Sequence, residues 1–432
     1  MLVEFRVKNY RSFADEAFIQ LDAVKAFSEH PDNLIETENG RFLKTLAIYG
    51  ANASGKSNLI AAMNSFRRLV MRSGKYNSTD KISYHPFLLD DNLAIKPTLF
   101  EIRISLDGLY YRYGCEVTRE CVVSEWLLWS KKLEGRDWPL FTRDAAGVAY
   151  GNSYRGERVQ EKELLRNTLL LSRLDQKNVE IAVKILGWIS RIGILQGLND
   201  QGVEDFTARR LEIEGAKRGI LALTRLADQG IDDLQMQPVP DEKIPPPILK
   251  FITEKKIERP NDIYFLRKKV DGSGEVGLSL DRDESAGTAK MFRFAGVWMD
   301  ILTEGSVAFV DELEAKLHPL LTRRLIMMFN SAEVNKRGAQ LIFVTHDTNL
   351  LAYGGLRRDQ VWFCEKDQQG RSSLYSLAEI KDSSAKRKNA LFEKNYIEGK
   401  YGAIPFFGGM DALAALFDDA VTGEGANNGA RN

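Results

Sequence analysis

Eight residues, Gly50-Ala51-Asn52-Ala53-Ser54-Gly55-Lys56-Ser57, space two glycines, a lysine and a hydroxyl in the order G-x-x-x-x-G-K-[ST]. Glycines let a backbone turn tightly enough for successive N–H groups to converge on an anion. A helix opening near Gly55, with Asn58 in its first turn, adds the positive end of its dipole. Lys56 is then placed to reach the β- and γ-phosphates of a nucleotide, and the Ser57 hydroxyl to ligate Mg²⁺. A second group follows the apolar run Val307-Ala308-Phe309-Val310 as Asp311 and Glu312. In that position an aspartate suits the Mg²⁺ shell and a glutamate can orient or deprotonate an attacking water. The alternative is a core strand meeting a helix whose first turn prefers acids.

Two further groups are weaker by themselves. Thr345-His346-Asp347 ends the run Leu341-Ile342-Phe343-Val344, and a lone histidine at a strand end is usually structural. Asp283-Glu284-Ser285-Ala286-Gly287-Thr288 precedes a helical run. Ser285 and Gly287 could cap a phosphate there, or Ser285 could be an ordinary N-cap. His318, in Glu314-Ala315-Lys316-Leu317-His318-Pro319, reads as a packing or subunit-contact residue. Lys8-Asn9-Tyr10-Arg11-Ser12-Phe13 reads as a turn with a buried aromatic.

The elements that must hold these groups follow from hydrophobic periodicity. Residues 2–8 alternate and predict a strand, with 18–22 as its partner. Residues 44–49 predict the strand before the glycine loop, and 57–72 the helix after it. Residues 99–105, 109–117 and 122–130 predict an antiparallel meander, with Asp107-Gly108 as a hairpin turn. Residues 162–197 contain strong helical stretches, helix is expected to continue through 208–228, and the proline-rich 238–247 predicts a loop. Apolar strands at 307–312, 340–347 and 360–366, with helix between them, predict a parallel sheet. The resulting units are an N-terminal lobe over 1–170, a helical insertion over 171–262 and a C-terminal lobe over 263–415. A disordered tail is expected over 416–432, where small polar residues dominate.

The chain has 432 residues, enough for two to four units at roughly 100–200 residues each. Its 60 basic and 60 acidic side chains cancel, so net charge does not indicate a DNA-binding protein, although a local basic face stays possible. Three cysteines with no C-x-x-C pair argue against a disulfide framework. No signal-peptide pattern and no transmembrane run is seen, so a cytoplasmic protein with no membrane partner is the expectation.

The order N-Y-R-S-F, G-A-N-A-S-G-K-S, E-S-A-G-T, V-D-E-L-E-A-K-L-H-P, T-H-D resembles the ABC/SMC-like AAA ATPases related to RecF, SMC and OLD proteins. The closer resemblance is to a family of stand-alone ATPases often found in bacterial phage-defence loci, which the ATPase subunit of PARIS systems also looks like. His85-Pro86-Phe87-Leu88-Leu89-Asp90, Asp359-Gln360-Val361-Trp362-Phe363 and Leu374-Tyr375-Ser376-Leu377 with Tyr401-Gly402-Ala403-Ile404-Pro405 extend that resemblance. It implies an α/β ABC-type P-loop NTPase head, with a mixed-sheet N-terminal lobe, a helical insertion and a parallel-sheet C-terminal lobe. It implies ATP and Mg²⁺ as cofactors, Glu312, His346 and Lys56 as catalytic groups, and Ser57 and Asp311 at the metal. His346 would contact the γ-phosphate, and Arg11 would approach the nucleotide. Ser285 and Gly287 would complete the site of a second subunit, although Glu284, Ala286 and Thr288 depart from the family's L-S-G-G-Q.

The resemblance further implies a homo-oligomer switch that controls a co-encoded effector or nuclease, triggered by a phage protein. A RecF-like DNA clamp and a nucleotide-dependent scaffold with little turnover are the rival readings. The stretch between the lobes is too short for an SMC coiled-coil arm, and no lobe-coupling glutamine stands out after the glycine loop. Residues 360–366 are expected to be one more strand of the ATPase sheet. With no later D-x-D strand, a nuclease within this chain is not expected.

Overall fold

A run that is apolar at every position makes a stable strand only where both of its faces are covered. That condition organises this chain, whose computed structural model describes residues 1–197, 201–255, 259–353, 355–380 and 392–404. The elements begin with β1 (Leu2–Lys8), β2 (Ala17–Gln20), β3 (Leu34–Thr37), β4 (Gly40–Leu43), β5 (Thr45–Tyr49) and α1 (Lys56–Arg72). Next come α2 (Asp91–Ala94), β6 (Thr98–Leu106), β7 (Leu109–Val117), β8 (Val122–Ser130), β9 (Trp138–Asp144) and β10 (Gly147–Tyr150). The middle of the chain forms α3 (Leu170–Gln176), α4 (Glu180–Ser190), β11 (Gly193–Gln196), α5 (Gln201–Arg210), α6 (Glu214–Thr224), β12 (Asp233–Pro238) and α7 (Pro246–Lys255). Then follow β13 (Asn261–Lys268), β14 (Glu275–Ser279), α8 (Ala286–Glu304), β15 (Val307–Asp311), α9 (Pro319–Asn330) and β16 (Gln340–Val344). The last are α10 (Asn349–Ala352), β17 (Val361–Lys366), β18 (Ser372–Ser376) and α11 (Phe392–Ile397).

The central layer is a six-stranded sheet in the order β11-β15-β16-β5-β17-β18. Its first five strands are parallel, and β18 returns antiparallel against β17. Successive residues of β5 face opposite cores. Leu46 and Ile48 join one cluster, together with Phe309, Ile342 and Val344. Ala47 and Tyr49 join the other, together with Val310, Leu341 and Phe343. On the first side lie α1 and a seven-stranded antiparallel sheet, β10-β9-β8-β7-β6-β1-β2. On the second lie α8, α9 and the three-stranded sheet β12-β13-β14. The phosphate-loop strand β5 thus sits between strands from the C-terminal third of the chain.

The two large sheets are joined by Gln340, a fully buried side chain. Its Oε1 accepts the Leu2 N–H at 2.7 Å, and its Nε2 donates to the Leu2 and Leu43 carbonyls at 3.1 and 3.0 Å. A buried amide with all these bonds made fixes register, because leaving any of them unmade would cost about 1–3 kcal/mol.

Three expectations are corrected. Residues 193–196, expected as the end of a helical stretch, form β11, which pairs in parallel register with β15 from Gly193↔Ala308 to Gln196↔Asp311. The open edge of β15 overrides an apolar pattern that local periodicity leaves ambiguous. The helix expected over 208–228 is broken between Arg210 and Glu214, giving α5 and α6. The proline-rich loop ends early, because Pro246 and Pro247 open α7, where the missing N–H groups have no intrahelical acceptor to lose. The tail expected over 416–432 and Pro405 lie outside the described residues. Among the described residues, no helix is long and apolar enough to cross a membrane.

Candidate nucleotide site

The glycine loop leaves a strand buried at all five positions, so its start is fixed by the core. Gly50 and Gly55 have φ of 155° and 114°, and Ala53 is left-handed at 62°. Close approach demands the two glycines as well. A Cβ at Gly50 would stand 2.2 Å from the Cys364 carbonyl oxygen, and one at Gly55 would stand 2.3 Å from Ser372 Oγ. Strands β17 and β18 therefore buttress the loop from behind. Ser372 Oγ donates to the Ser54 carbonyl at 2.5 Å, and Cys364 Sγ lies 3.4 Å from the same oxygen. Burial pushes the Cys364 thiol up to about 11, so it stays a neutral packing group.

Lys56 opens α1 and is almost fully buried. Its ammonium folds back into the loop, donating to the Gly50 and Ala51 carbonyls at 2.7 and 2.8 Å. Burial lowers its pKa, against the nearby acids that favour its charge. Asn52 and Ala53 form the exposed crown of the loop, whereas Ser54 is buried beneath it.

Ser57, the next residue of α1, donates from Oγ to Asp311 Oδ1 at 3.1 Å. This contact joins two residues far apart in sequence, and it sets a hydroxyl and a carboxylate where one cation can take both. Burial raises the Asp311 carboxyl above its ordinary value. The Ser57 bond and the charge of Lys56 oppose that shift without cancelling it. Glu312 then turns left-handed, with φ of 52°. The loop beyond it is tied to β16: the Leu313 N–H reaches the Val344 carbonyl at 3.3 Å, and the His346 N–H donates to Glu314 Oε1 at 2.6 Å. His346 is pushed below the ordinary histidine value, first by burial and then by Lys56, while Glu314, Glu312 and Asp311 pull the other way.

Several buried polar atoms have no partner among the described residues: Ser54 Oγ in the glycine loop, Glu314 Oε2 after the acidic pair and Asp347 Oδ2 after the histidine. Such atoms are rare in folded proteins and call for an explanation. A phosphate chain with a bound cation fits this set. The glycine loop leads into the first turn of α1, the positive end of a helix dipole, Lys56 supplies a charge, and Ser57 with Asp311 the hard oxygen ligands that Mg²⁺ prefers.

The other sequence candidates lie nearby or apart. Arg11 is left-handed at φ 49°, and its exposed guanidinium reaches Asn58 Oδ1 at 3.3 Å. Asn58 Nδ2 in turn donates to Ser12 Oγ at 2.7 Å, so the N-Y-R-S-F turn is clipped to the first turn of α1. Tyr10 extends the clip, its hydroxyl 2.9 Å from Ser65 Oγ. Ser285 caps α8: its Oγ accepts the Thr288 N–H at 3.1 Å and lies 2.9 Å from Thr288 Oγ1. The contacts of Ser285 and Gly287 run to Thr288 and Lys316, not to the glycine loop. His318 caps α9 through Nδ1, which accepts the Leu320 N–H at 3.2 Å.

Sequence reading missed Gln196 and Gly197. Gln196 ends β11, exposed and level with Asp311. The Gly197 N–H donates to the Asp311 carbonyl at 2.7 Å. The available signal was a short apolar run bracketed by Gly193 and Gly197 after a helix.

No curated protein matches the chain. One of the solved structures it resembles is cbiO1 from Clostridium perfringens, part of the ABC transporter complex cbiONQ. The identity is 13%, the match covers 88% of this chain and 90% of that one, and the TM-score is 0.28, which supports no inference about fold or role. The family model described as "AAA domain, putative AbiEii toxin, Type IV TA system" matches residues 46–148 and 146–352, from the glycine-loop strand to the helix after His346, and the chain belongs to that family.

Proposed function

We propose that this protein binds and hydrolyses ATP at composite sites and acts as a switch on a partner effector in bacterial anti-phage defence. The observation that carries the reading is the Ser57–Asp311 contact at 3.1 Å, made where Lys56 and His346 also converge. In this reading the loop from Gly50 to Ser57, with Asn58, cradles the phosphates, and Lys56 exchanges its two carbonyl partners for phosphate oxygens. Ser57 and Asp311 would hold Mg²⁺, which would supply positive charge beside the phosphate oxygens. Glu312 orients the water and accepts its proton. His346, neutral at pH 7, offers a hydrogen bond to the γ-phosphate without adding positive charge.

Ser285 and Gly287 of a second copy close the site, and Arg11 stands at its rim beside Asn58. Gln196, at the tip of β11 beside Asp311, takes the lobe-coupling position that the sequence left unassigned. The partner in this reading is a toxic effector or nuclease encoded nearby, with a phage product as the trigger. The effector and the phage setting rest on the sequence resemblance and on the family's description as a toxin-system domain.

The test compares ATP turnover and mass in solution for wild type and Glu312→Gln. Wild type should hydrolyse ATP, and Glu312→Gln should bind it, stall and accumulate as an oligomer. Equal turnover in the two proteins would sink the catalytic assignment. Turnover that rises only with DNA, with affinity falling steeply in salt, would favour the RecF-like clamp.

A further inference from the structure

Helix α8 carries a lysine in its apolar face. Lys290 is only 2% exposed, flanked in sequence by the buried Ala289, Met291 and Phe292. Its ammonium lies 5.6 Å from the centre of the Phe294 ring. A charged amine is costly to place in such surroundings unless oxygen atoms replace its water. Here those oxygens come from the segment directly after Glu312. Nζ donates to the Leu313 carbonyl at 3.2 Å and to the Ala315 carbonyl at 2.5 Å.

A second contact joins the same two elements. A Cβ on Gly287, in the first turn of α8, would meet the Lys316 carbonyl oxygen at 3.2 Å, closer than ordinary contact. The first turn of α8 and the amine one turn further on are thus both fitted to residues 313–316. That segment is bounded by two left-handed non-glycine residues, Glu312 at φ 52° and Lys316 at 62°. Left-handed conformations of this kind persist where surrounding contacts over-determine them. Two of the three carbonyls concerned are held by one buried lysine.

We propose that Lys290 is a positioning residue for Glu312: it couples the pose of the helix that begins at Ser285 to the pose of the catalytic glutamate in the same chain. This rests on the proposed ATPase reading. It adds that what happens at the Ser285 end of α8, when it meets a second copy, is felt at Glu312 through the Lys290 amine and the Gly287 contact. The Lys290 amine is engaged by the Leu313 and Ala315 carbonyls, neither of them assigned to the phosphates. Its loss should therefore slow turnover without weakening the ATP complex, because Lys56 and the glycine loop are untouched.

The experiment is steady-state ATP hydrolysis by the full chain, wild type beside Lys290→Met, Lys290→Arg and Glu312→Gln. Methionine keeps the length and apolar stem but removes the donors. The expected result is a kcat about tenfold or more below wild type, with KM for ATP within about twofold and partial recovery in Lys290→Arg. Lys290→Met with wild-type kcat, or with kcat unchanged and KM raised, overturns the proposal. Active wild type with inactive Glu312→Gln establishes the ATPase reading separately, so the two failures are distinguishable. If Lys290→Met does not fold, Lys290→Gln, which keeps a neutral donor of shorter reach, replaces it. A fall in kcat at constant KM supports the coupling, and wild-type kcat overturns it.

Discussion

Gly197→Ala perturbs the candidate site through a residue that bears no functional group. A methyl group there would stand 1.9 Å from the Glu312 carbonyl oxygen and 3.0 Å from that of Asp311, both backbone atoms at the end of the neighbouring strand β15 and just beyond it. An ordinary carbon–oxygen contact is about 3.3 Å, so the two backbones must part by about 1.4 Å. The bond from the Gly197 N–H to the Asp311 carbonyl, now 2.7 Å, cannot survive that separation. Its loss costs about 1 kcal/mol. The remaining overpacking adds about 1–3 kcal/mol, since β11 is an edge strand and can yield. A total of about 2–4 kcal/mol leaves a folded protein if its reserve is of the usual 5–15 kcal/mol. In the proposed role Glu312 fares worse, because a displacement near 1 Å in a catalytic group can cost about a hundredfold in rate. The assay is phosphate release at saturating ATP beside a thermal melt. Gly187→Ala serves as control, because a Cβ at Gly187 has nothing within 4 Å and alanine suits a helix better than glycine. Gly197→Ala with wild-type turnover and an unchanged melting midpoint would refute both the contact and the role given to Glu312.

Arg357→Met should lower the melting midpoint with little effect on nucleotide affinity. The fully buried guanidinium pairs with Asp359 through Nε at 2.9 Å and Nη2 at 2.8 Å, and it donates to the Glu29 carbonyl at 2.8 Å. Its removal strands the Asp359 carboxylate in the interior, at about 3–5 kcal/mol, and an unchanged midpoint would contradict that reading. The pH dependence of His346 has a definite sign. The fold favours the neutral ring, so its contribution to stability is complete above the ordinary histidine value and fades as pH falls through the depressed one. Proton NMR, with the ring signals assigned through His346→Gln, should show it titrating below pH ~6.5. Lys56→Met should move that titration upward, because Lys56 is the largest of the charges pushing it down. A midpoint unmoved by Lys56→Met would mean that the two groups do not feel each other.

Strands buried on both faces announce themselves. In β5, β15 and β16 the residues are apolar almost throughout, and each strand leads within two residues to residues of interest: Gly50, Asp311 with Glu312, and His346. The same physics that makes them legible, full burial in a parallel sheet, also brings their C-terminal ends to one edge. Strand β11 was not legible, because four residues are too few to show a period and they follow an amphipathic helix in which apolar residues are expected. Only the partner edge of β15 makes it a strand, and that information lies more than a hundred residues away along the chain. Lys290 was hidden differently. A single lysine inside an apolar helical stretch looks like a position at the edge of the stripe, where its stem packs and its head reaches water.

Ser285 unites two readings that the sequence offers as alternatives. Its side chain is an N-cap in the plain sense, accepting the Thr288 N–H. That does not remove it from the candidate phosphate site, because a hydroxyl has one donor and two acceptor positions. Accepting from Thr288 N–H leaves its proton free to turn outward, provided that Thr288 Oγ1 donates across the 2.9 Å contact between the two hydroxyls. The N–H groups of Ala286 and Gly287 belong to the first turn of α8, where the helix itself supplies no acceptor. Capping therefore prepares this helix end for an anion rather than competing with one. The two readings of E-S-A-G-T differ only in whether a second copy brings a phosphate to it. That difference lies in association, and the ATP-dependent mass of Glu312→Gln measures it directly: an oligomer lost on Ser285→Arg would place the helix end in the interface, and an oligomer indifferent to that change would leave Ser285 a cap and nothing more.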